Sequence, residues 1–303
     1  IYPSASLTKN IEGTNMTEFG LLQRKGIIGF TDGYKTIQNT RLMSRIVRSA
    51  FDLNSLVMQH AEDLALSSGG MVNDGIISTK LGLQGISYLA EKVIVERDLT
   101  LLEEFNCRYH ISQISSAASL EVIKNKKQNV KFTSGVSINN LSLNENDVGD
   151  FRTFLKLSPP LRSEDDRISL VNAIKNDLIQ VIVSDHKPED EESKRLTFAQ
   201  AASGASGIET LLPLALELFH NESLKLSKII ECLTSNPAKI LKINKGSLST
   251  GHDADFCIVD IYKPWVVKKE NLVSKSKNTC IEGKKLQGKV LNTFVNGEEL
   301  FKL

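Results

Sequence analysis

Four apolar runs in this chain each stop on acid, histidine or amide side chains: Phe30-Thr31-Asp32-Gly33, Gln59-His60-Ala61-Glu62-Asp63, Tyr109-His110-Ile111-Ser112-Gln113 and Ser184-Asp185-His186-Lys187-Pro188-Glu189. Strands that deliver polar side chains at their C-terminal ends build the rim of a βα-barrel, where the loops after the strands carry the chemistry. The spacing of short β-branched runs predicts strands over 1–7, 26–32, 55–60, 108–115, 130–136 and 178–185. Helical patterns fall between them, at 16–25, 40–51, 86–105, 119–126 and 164–176, and again at 207–221 and 227–241. Strands alternating with helices imply parallel βαβ units, so the fold class is α/β. Asn236-Pro237-Ala238 inside the last pattern implies a bend or a fresh start, because proline cannot continue a helix interior.

About six strands are legible where a closed (β/α)8 TIM barrel needs eight. The deficit falls at the front, which leads us to expect two further βα units before Ile1. From residue 245 the texture changes to glycine turns and short alternating runs, with Asn296-Gly297 as a hairpin signal. The expected division is a barrel domain over 1–244 and a small β-sandwich appendage over 245–303.

Bulk properties exclude some functions. The 37 Lys and Arg nearly balance 36 Asp and Glu, so there is no electrostatic footprint for nucleic acid or an acidic membrane. No apolar run is long enough to span a bilayer. Cys107, Cys232, Cys257 and Cys280 form no CxxC pair and read as reduced thiols, which fits a cytoplasmic protein. The acidic stretch 189–192 reads as a solvated loop.

Eight strings, in order, carry a resemblance. They are Ile1-Tyr2-Pro3, Leu7-Thr8-Lys9, Gln59-His60-Ala61-Glu62-Asp63, Pro159-Pro160-Leu161-Arg162-Ser163-Glu164-Asp165-Asp166-Arg167, Ser184-Asp185-His186, Gly207-Ile208-Glu209-Thr210, Thr234-Ser235-Asn236-Pro237-Ala238 and Ser276-Lys277-Asn278-Thr279. Together they resemble dihydroorotase of the amidohydrolase superfamily. The resemblance implies a TIM barrel with a small β-sandwich, zinc at the C-terminal rim, and interconversion of carbamoyl aspartate and dihydroorotate. It also implies association with aspartate carbamoyltransferase, as in many relatives; an oligomer is expected, with aspartate carbamoyltransferase or an active dihydroorotase as the partner of a scaffold. Zinc suits that chemistry because it lowers the pKa of bound water and polarises a carbonyl.

By resemblance, Asp32 and His60 match metal ligands, and Asp185 matches both a ligand and the proton acceptor. The residues alone allow plainer readings: a turn-forming Asp before Gly33, a hydrogen-bonding strand-end His, and an N-capping Asp. His186 is expected to orient its neighbourhood. Ser158, Glu189, Ser203 and Gly204 fall at substrate-binding positions of the family pattern.

Several of these positions depart from the pattern. Gln113 stands at a lost ligand histidine, and a neutral amide is a poor zinc ligand. His110 cannot replace it, because three residues along a strand is an odd offset and places the two side chains on opposite faces. Glu189 replaces a histidine that holds a substrate carboxylate, which sets anion against anion. Ser158 replaces an asparagine, and Ser137-Ile138-Asn139-Asn140 stands where the family has proline and paired histidines. The expectation is a barrel kept as a scaffold with impaired or lost catalysis. The alternatives are a working zinc dihydroorotase, its site completed by a His-x-His segment before Ile1, and an amidohydrolase whose substrate is cationic or neutral.

Overall fold

A computed structural model describes residues 2–303; Ile1, the first residue of the first expected strand, lies outside the described residues. The chain forms two compact units. One runs up to Phe151 and includes Ser158–Gln180; the other comprises Arg152–Leu157 and Val181–Leu303.

The first unit contains, in chain order, α1 (Phe19–Gln23), α2 (Thr40–Asp52), β1 (Leu56–Gln59), α3 (Leu64–Ser67), β2 (Val72–Asn73), α4 (Ile76–Leu81), β3 (Gly85–Ile86), α5 (Leu89–Glu104), β4 (Arg108–Ile111), α6 (Ala117–Lys126), β5 (Thr133–Ser137), α7 (Ile138–Ser142) and α8 (Glu164–Lys175). β1 pairs in parallel with β4, Val57 opposite Tyr109, and β4 pairs with β5, His110 opposite Thr133. The expected strands over 1–7 and 26–32 shrink to single parallel bridges, Ala5 to Phe30 and Phe30 to Val57. Pairing still continues through Phe30, whose N–H donates to the Leu56 carbonyl and whose carbonyl accepts from Met58. Gly29 permits this approach, since a Cβ there would lie 3.3 Å from the Leu56 carbonyl oxygen and 3.0 Å from the Met58 methyl.

The helix expected over 86–105 begins later, at Leu89, after a short excursion in which Gly82 (φ 64°) closes α4 in the left-handed conformation. α2 buries Leu42, Met43, Ile46, Val47 and Ala50, a helical spacing that puts one apolar stripe inside. α5 buries Ile94, Val95, Leu99 and Leu102, but also Glu91 and Asp98. Both acids are paired, as buried charge requires. Glu91 accepts from the backbone and hydroxyl groups of Ser115 and Ser116. Asp98 accepts from Tyr109 Oη at 2.6 Å, from Arg97 and from Gln59. That carboxylate therefore ties β1, β4 and α5 together one residue before His60. Burial pushes the Asp98 carboxyl upward, opposed by Arg97 and the hydrogen bonds of Tyr109, Arg97 and Gln59.

The second unit contains β6 (Val181–Val183), α9 (Glu191–Arg195), α10 (Leu211–His220), α11 (Leu226–Leu233), α12 (Ser235–Leu241), β7 (Phe256–Val266), β8 (Lys285–Val295) and β9 (Glu298–Lys302). The helical pattern at 227–241 breaks at Thr234 (φ −129°, ψ −78°), and a new helix starts there with Pro237 in its first turn, where a missing N–H costs nothing. β7, β8 and β9 make an antiparallel sheet, with Phe256 stacked on Phe294 at 4.6 Å. Asn296 and Gly297 join β8 to β9 with φ of 51° and 81°, the two left-handed residues that a tight hairpin needs.

Candidate active site

β1 ends by placing His60 inside the first unit, 2 % exposed. Its carbonyl accepts from Thr36 Oγ1 at 2.7 Å, and the same hydroxyl accepts from the Glu62 N–H at 3.0 Å. This fixes the turn that carries Glu62 back over the imidazole. Asp63 then caps α3, accepting from Ala65 and Leu66.

Both imidazole nitrogens are engaged. Nδ1 lies 3.2 Å from Gln113 Oε1, and Nε2 lies 3.1 Å from Glu62 Oε2. Ser158 Oγ donates to the same Glu62 oxygen at 3.1 Å and lies 3.4 Å from Nε2. Burial raises the Glu62 carboxyl, but hydrogen bonds from His60, Ser67 and Ser158 and the charge of the imidazole outweigh it and bring it down to about 2. Sequence reasoning assigned Glu62 no role; its partner Ser158 is ninety-six residues away.

The other expected positions separate. Gln113, just past β4, faces His60, while His110 turns to Thr133 Oγ1 at 2.8 Å, as the odd offset requires. Burial alone pushes His110 down to about 4. Asp32 is buried, and its two carboxylate oxygens accept the backbone N–H and the hydroxyl of Thr8. It thereby anchors the Leu7-Thr8-Lys9 string. Asn140 Nδ2 donates to the Pro160 carbonyl at 2.9 Å. Asn140 Oδ1 and Asn139 Nδ2 are buried and find no partner among the described residues.

The Pro159–Arg167 string holds the first unit together. Arg162 is buried and donates to Ser115 Oγ, Asn73 Oδ1 and the Ile86 carbonyl. Ser163 caps α8, and Asp166 accepts from the N–H of Ala117.

In the second unit Asp185 follows β6 with φ of 49° and is 8 % exposed. His186 Nδ1 accepts from the N–H of Gly207 at 3.2 Å, which is the orienting role expected of it. Glu189 has the Lys187 Nζ 3.7 Å from its carboxylate. Gly204 adopts φ of 142°, and a Cβ there would meet the Lys187 carbonyl at 2.7 Å. Ser203 Oγ is buried without a partner among the described residues.

Zinc is the group that the resemblance implies, and the donors of the first unit do not fit it. The imidazole of His60 is bracketed on both nitrogens, the Asp32 carboxylate is taken by Thr8, and Gln113 offers an amide where imidazole or thiolate is wanted. Among the described residues no three or more His, Cys, Asp or Glu side chains are grouped so as to hold a metal.

Comparison with known proteins agrees with the fold. Residues 10–300 match the model of the amidohydrolase family. The chain is 40 % identical over 299 residues to a dihydroorotase of Ehrlichia canis (strain Jake), covering 98 % of this chain and 66 % of that protein. It is 41 % identical over 302 residues to a dihydroorotase of Syntrophus aciditrophicus (strain SB), covering 99 % and 71 %. Among solved structures it superposes on an L-hydantoinase (dihydropyrimidinase) from Arthrobacter aurescens with a TM-score of 0.85 at 24 % identity, covering 99 % of this chain and 70 % of that one. The chain spans about two thirds of the length of these relatives. The architecture is thus the TIM-barrel fold of metal-dependent hydrolases with a small β appendage. The chain belongs to the amidohydrolase family, and within it to the dihydroorotases.

Proposed function

We propose that this is a dihydroorotase-family protein of pyrimidine biosynthesis whose barrel serves as a scaffold and whose catalysis is impaired. The observation that carries this reading is the imidazole of His60, held between Gln113 and Glu62 with Ser158 beside it. A ligand position has become part of a protein hydrogen-bond network. Catalysis of this kind needs imidazole nitrogens free to hold a metal, and both nitrogens of His60 lie within hydrogen-bond distance of protein groups. Strings that hold structure, such as Arg162 on Ser115, Asn73 and Ile86, are kept intact. What such a barrel can still offer is a surface, and the partner we propose is aspartate carbamoyltransferase or an active dihydroorotase, in an oligomer in the cytoplasm. No helix of the described residues is long and apolar enough to cross a membrane.

The competing reading is a zinc-dependent dihydroorotase using Asp32, His60 and Asp185. Retention of all three residues and identities near 40 % to dihydroorotases favour it. Zinc content and carbamoyl aspartate cyclisation, measured on one purified sample, separate the two. Absence of both, with co-purification of a pyrimidine-pathway enzyme, is expected from the scaffold. Stoichiometric zinc with turnover would establish the enzyme reading instead.

A further inference from the structure

Segment 196–206 of the second unit has little regular structure; Leu196, Thr197, Ala199 and Gln200 are exposed, and the chain turns inward from Ala201. Phe198, Ala201 and Ala205 are buried, and Gly204 is in a conformation that only glycine tolerates well. Buried carbonyls outside helix and sheet must find donors elsewhere. Here two lysines supply them. Lys194, on α9, is 1 % exposed, and its ammonium donates to the carbonyls of Ala202 at 2.8 Å and Gly204 at 2.9 Å. Lys156 donates to the carbonyls of Phe198 and Ala199, each at 2.9 Å, while its own carbonyl accepts the N–H of Gly204 at 2.9 Å. Asn278 Nδ2 adds a second donor to the Gly204 carbonyl at 3.1 Å.

Neither ammonium forms an ion pair with a carboxylate among the described residues. A buried lysine with no carboxylate in direct contact is costly, and an apolar side chain of the same length would fill the space without that cost. The gain from keeping lysine is the set of carbonyls it holds. We infer that Lys194, seconded by Lys156, is a positioning residue: its ammonium fixes the carbonyls of segment 198–204 and so holds Ser203 and Gly204 in one conformation. Burial also lowers Lys194 to about 8, with Cys280 and Glu189 opposing that shift and Lys156 and Lys187 adding to it. An ammonium that costs this much is retained for its bonds rather than for its bulk.

The inference rests on the family reading only for what the segment would face, since Ser203 and Gly204 are substrate positions by resemblance. Its test uses the protein without ligand, so it stands or falls apart from zinc and partners. Hydrogen exchange is followed at the amides of Ala202 and Gly204, with α10 as the internal reference. Lys194→Met, of matched length but without donors, is expected to speed exchange across 198–204 at least tenfold and to leave α10 unchanged. Lys194→Arg is expected to retain protection. In Lys194→Ala, ethylammonium is expected to restore protection and tetramethylammonium, which cannot donate, is not. Wild-type protection in Lys194→Met, or equal rescue by both cations, would overturn the assignment. Should Lys194→Met not fold, Lys156→Met decides: faster exchange in the same segment is expected, and unchanged exchange refutes the clamp.

Discussion

Ser158 donates its hydroxyl to Glu62 at 3.1 Å, and through that carboxylate it is joined to the imidazole of His60. A serine hydroxyl is short enough to meet Glu62 while also lying 3.4 Å from His60 Nε2, so the three side chains close a loop of protein contacts.

Removing the acid from this loop should be costly. Glu62→Gln removes the charged acceptor shared by His60 Nε2 and Ser158 Oγ, and a drop of about 1–3 kcal/mol in unfolding free energy is expected from denaturant titration at neutral pH. Glu62 titrates near 2 in the folded protein, below its ordinary 4.5. A carboxyl held low contributes stability that is complete above the ordinary value and is lost as pH falls from there through about 2. Wild type should therefore lose more stability than Glu62→Gln across that window.

Placing imidazole at position 113 should change the chemistry of the site. Gln113→His puts imidazole where an amide now meets His60 Nδ1. Zinc retained after dialysis, measured by elemental analysis, is expected to rise above the wild-type level. A wild type already loaded with one zinc would contradict the basis of this expectation.

His110 gives a pH dependence of its own. Burial holds it neutral down to about 4, below the ordinary 6.5. Between those values the unfolded chain binds a proton that the folded one does not, so stability falls as pH drops from 6.5 to 4, by at most about 3 kcal/mol. Asparagine can keep the bond to Thr133 Oγ1 without titrating, so the melting temperature of His110→Asn should be flatter across this range.

Lys194 acts in the alkaline range. Its folded value near 8 lies below the ordinary 10.5. In that interval the unfolded chain again holds the extra proton, so this residue's contribution to stability rises with pH. Lys194→Met should lack the rise in pH-resolved thermal melts.

Arg162 tests the first unit's framework. Arg162→Met leaves the Ile86 carbonyl and Asn73 Oδ1 without their donor and takes one bond from Ser115 Oγ, which itself donates to Glu91. A loss of about 3–5 kcal/mol is expected, as for breaking a buried charged network, with the denaturation midpoint as the readout.

Much of the framework was readable in advance. β1 and β4 are short strands with polar residues at or just past their ends, Gln59-His60 and Ser112-Gln113, and α2 shows its buried stripe at 42, 43, 46, 47 and 50. The hairpin at Asn296-Gly297 was readable for a local reason, because both residues take left-handed φ. What escaped sequence reading is non-local. Nothing local to Asp32 signals that Thr8, twenty-four residues earlier, donates to both of its carboxylate oxygens. Lys194 sits in a charged five-residue helix whose other faces are solvated, and five residues carry too little periodicity to single out one inward position. The strands at 1–7 and 26–32 were overestimated: the two segments exchange only the bonds Ile28 to Pro3, Ala5 to Gly29 and Thr31 to Ala5, so only Ala5 and Phe30 form a bridge there.

The Arg162 anchor carries a wider consequence. One guanidinium satisfies acceptors from three separate segments, at Ser115, Asn73 and Ile86, so these stretches of chain share a single fate: they order together or fray together.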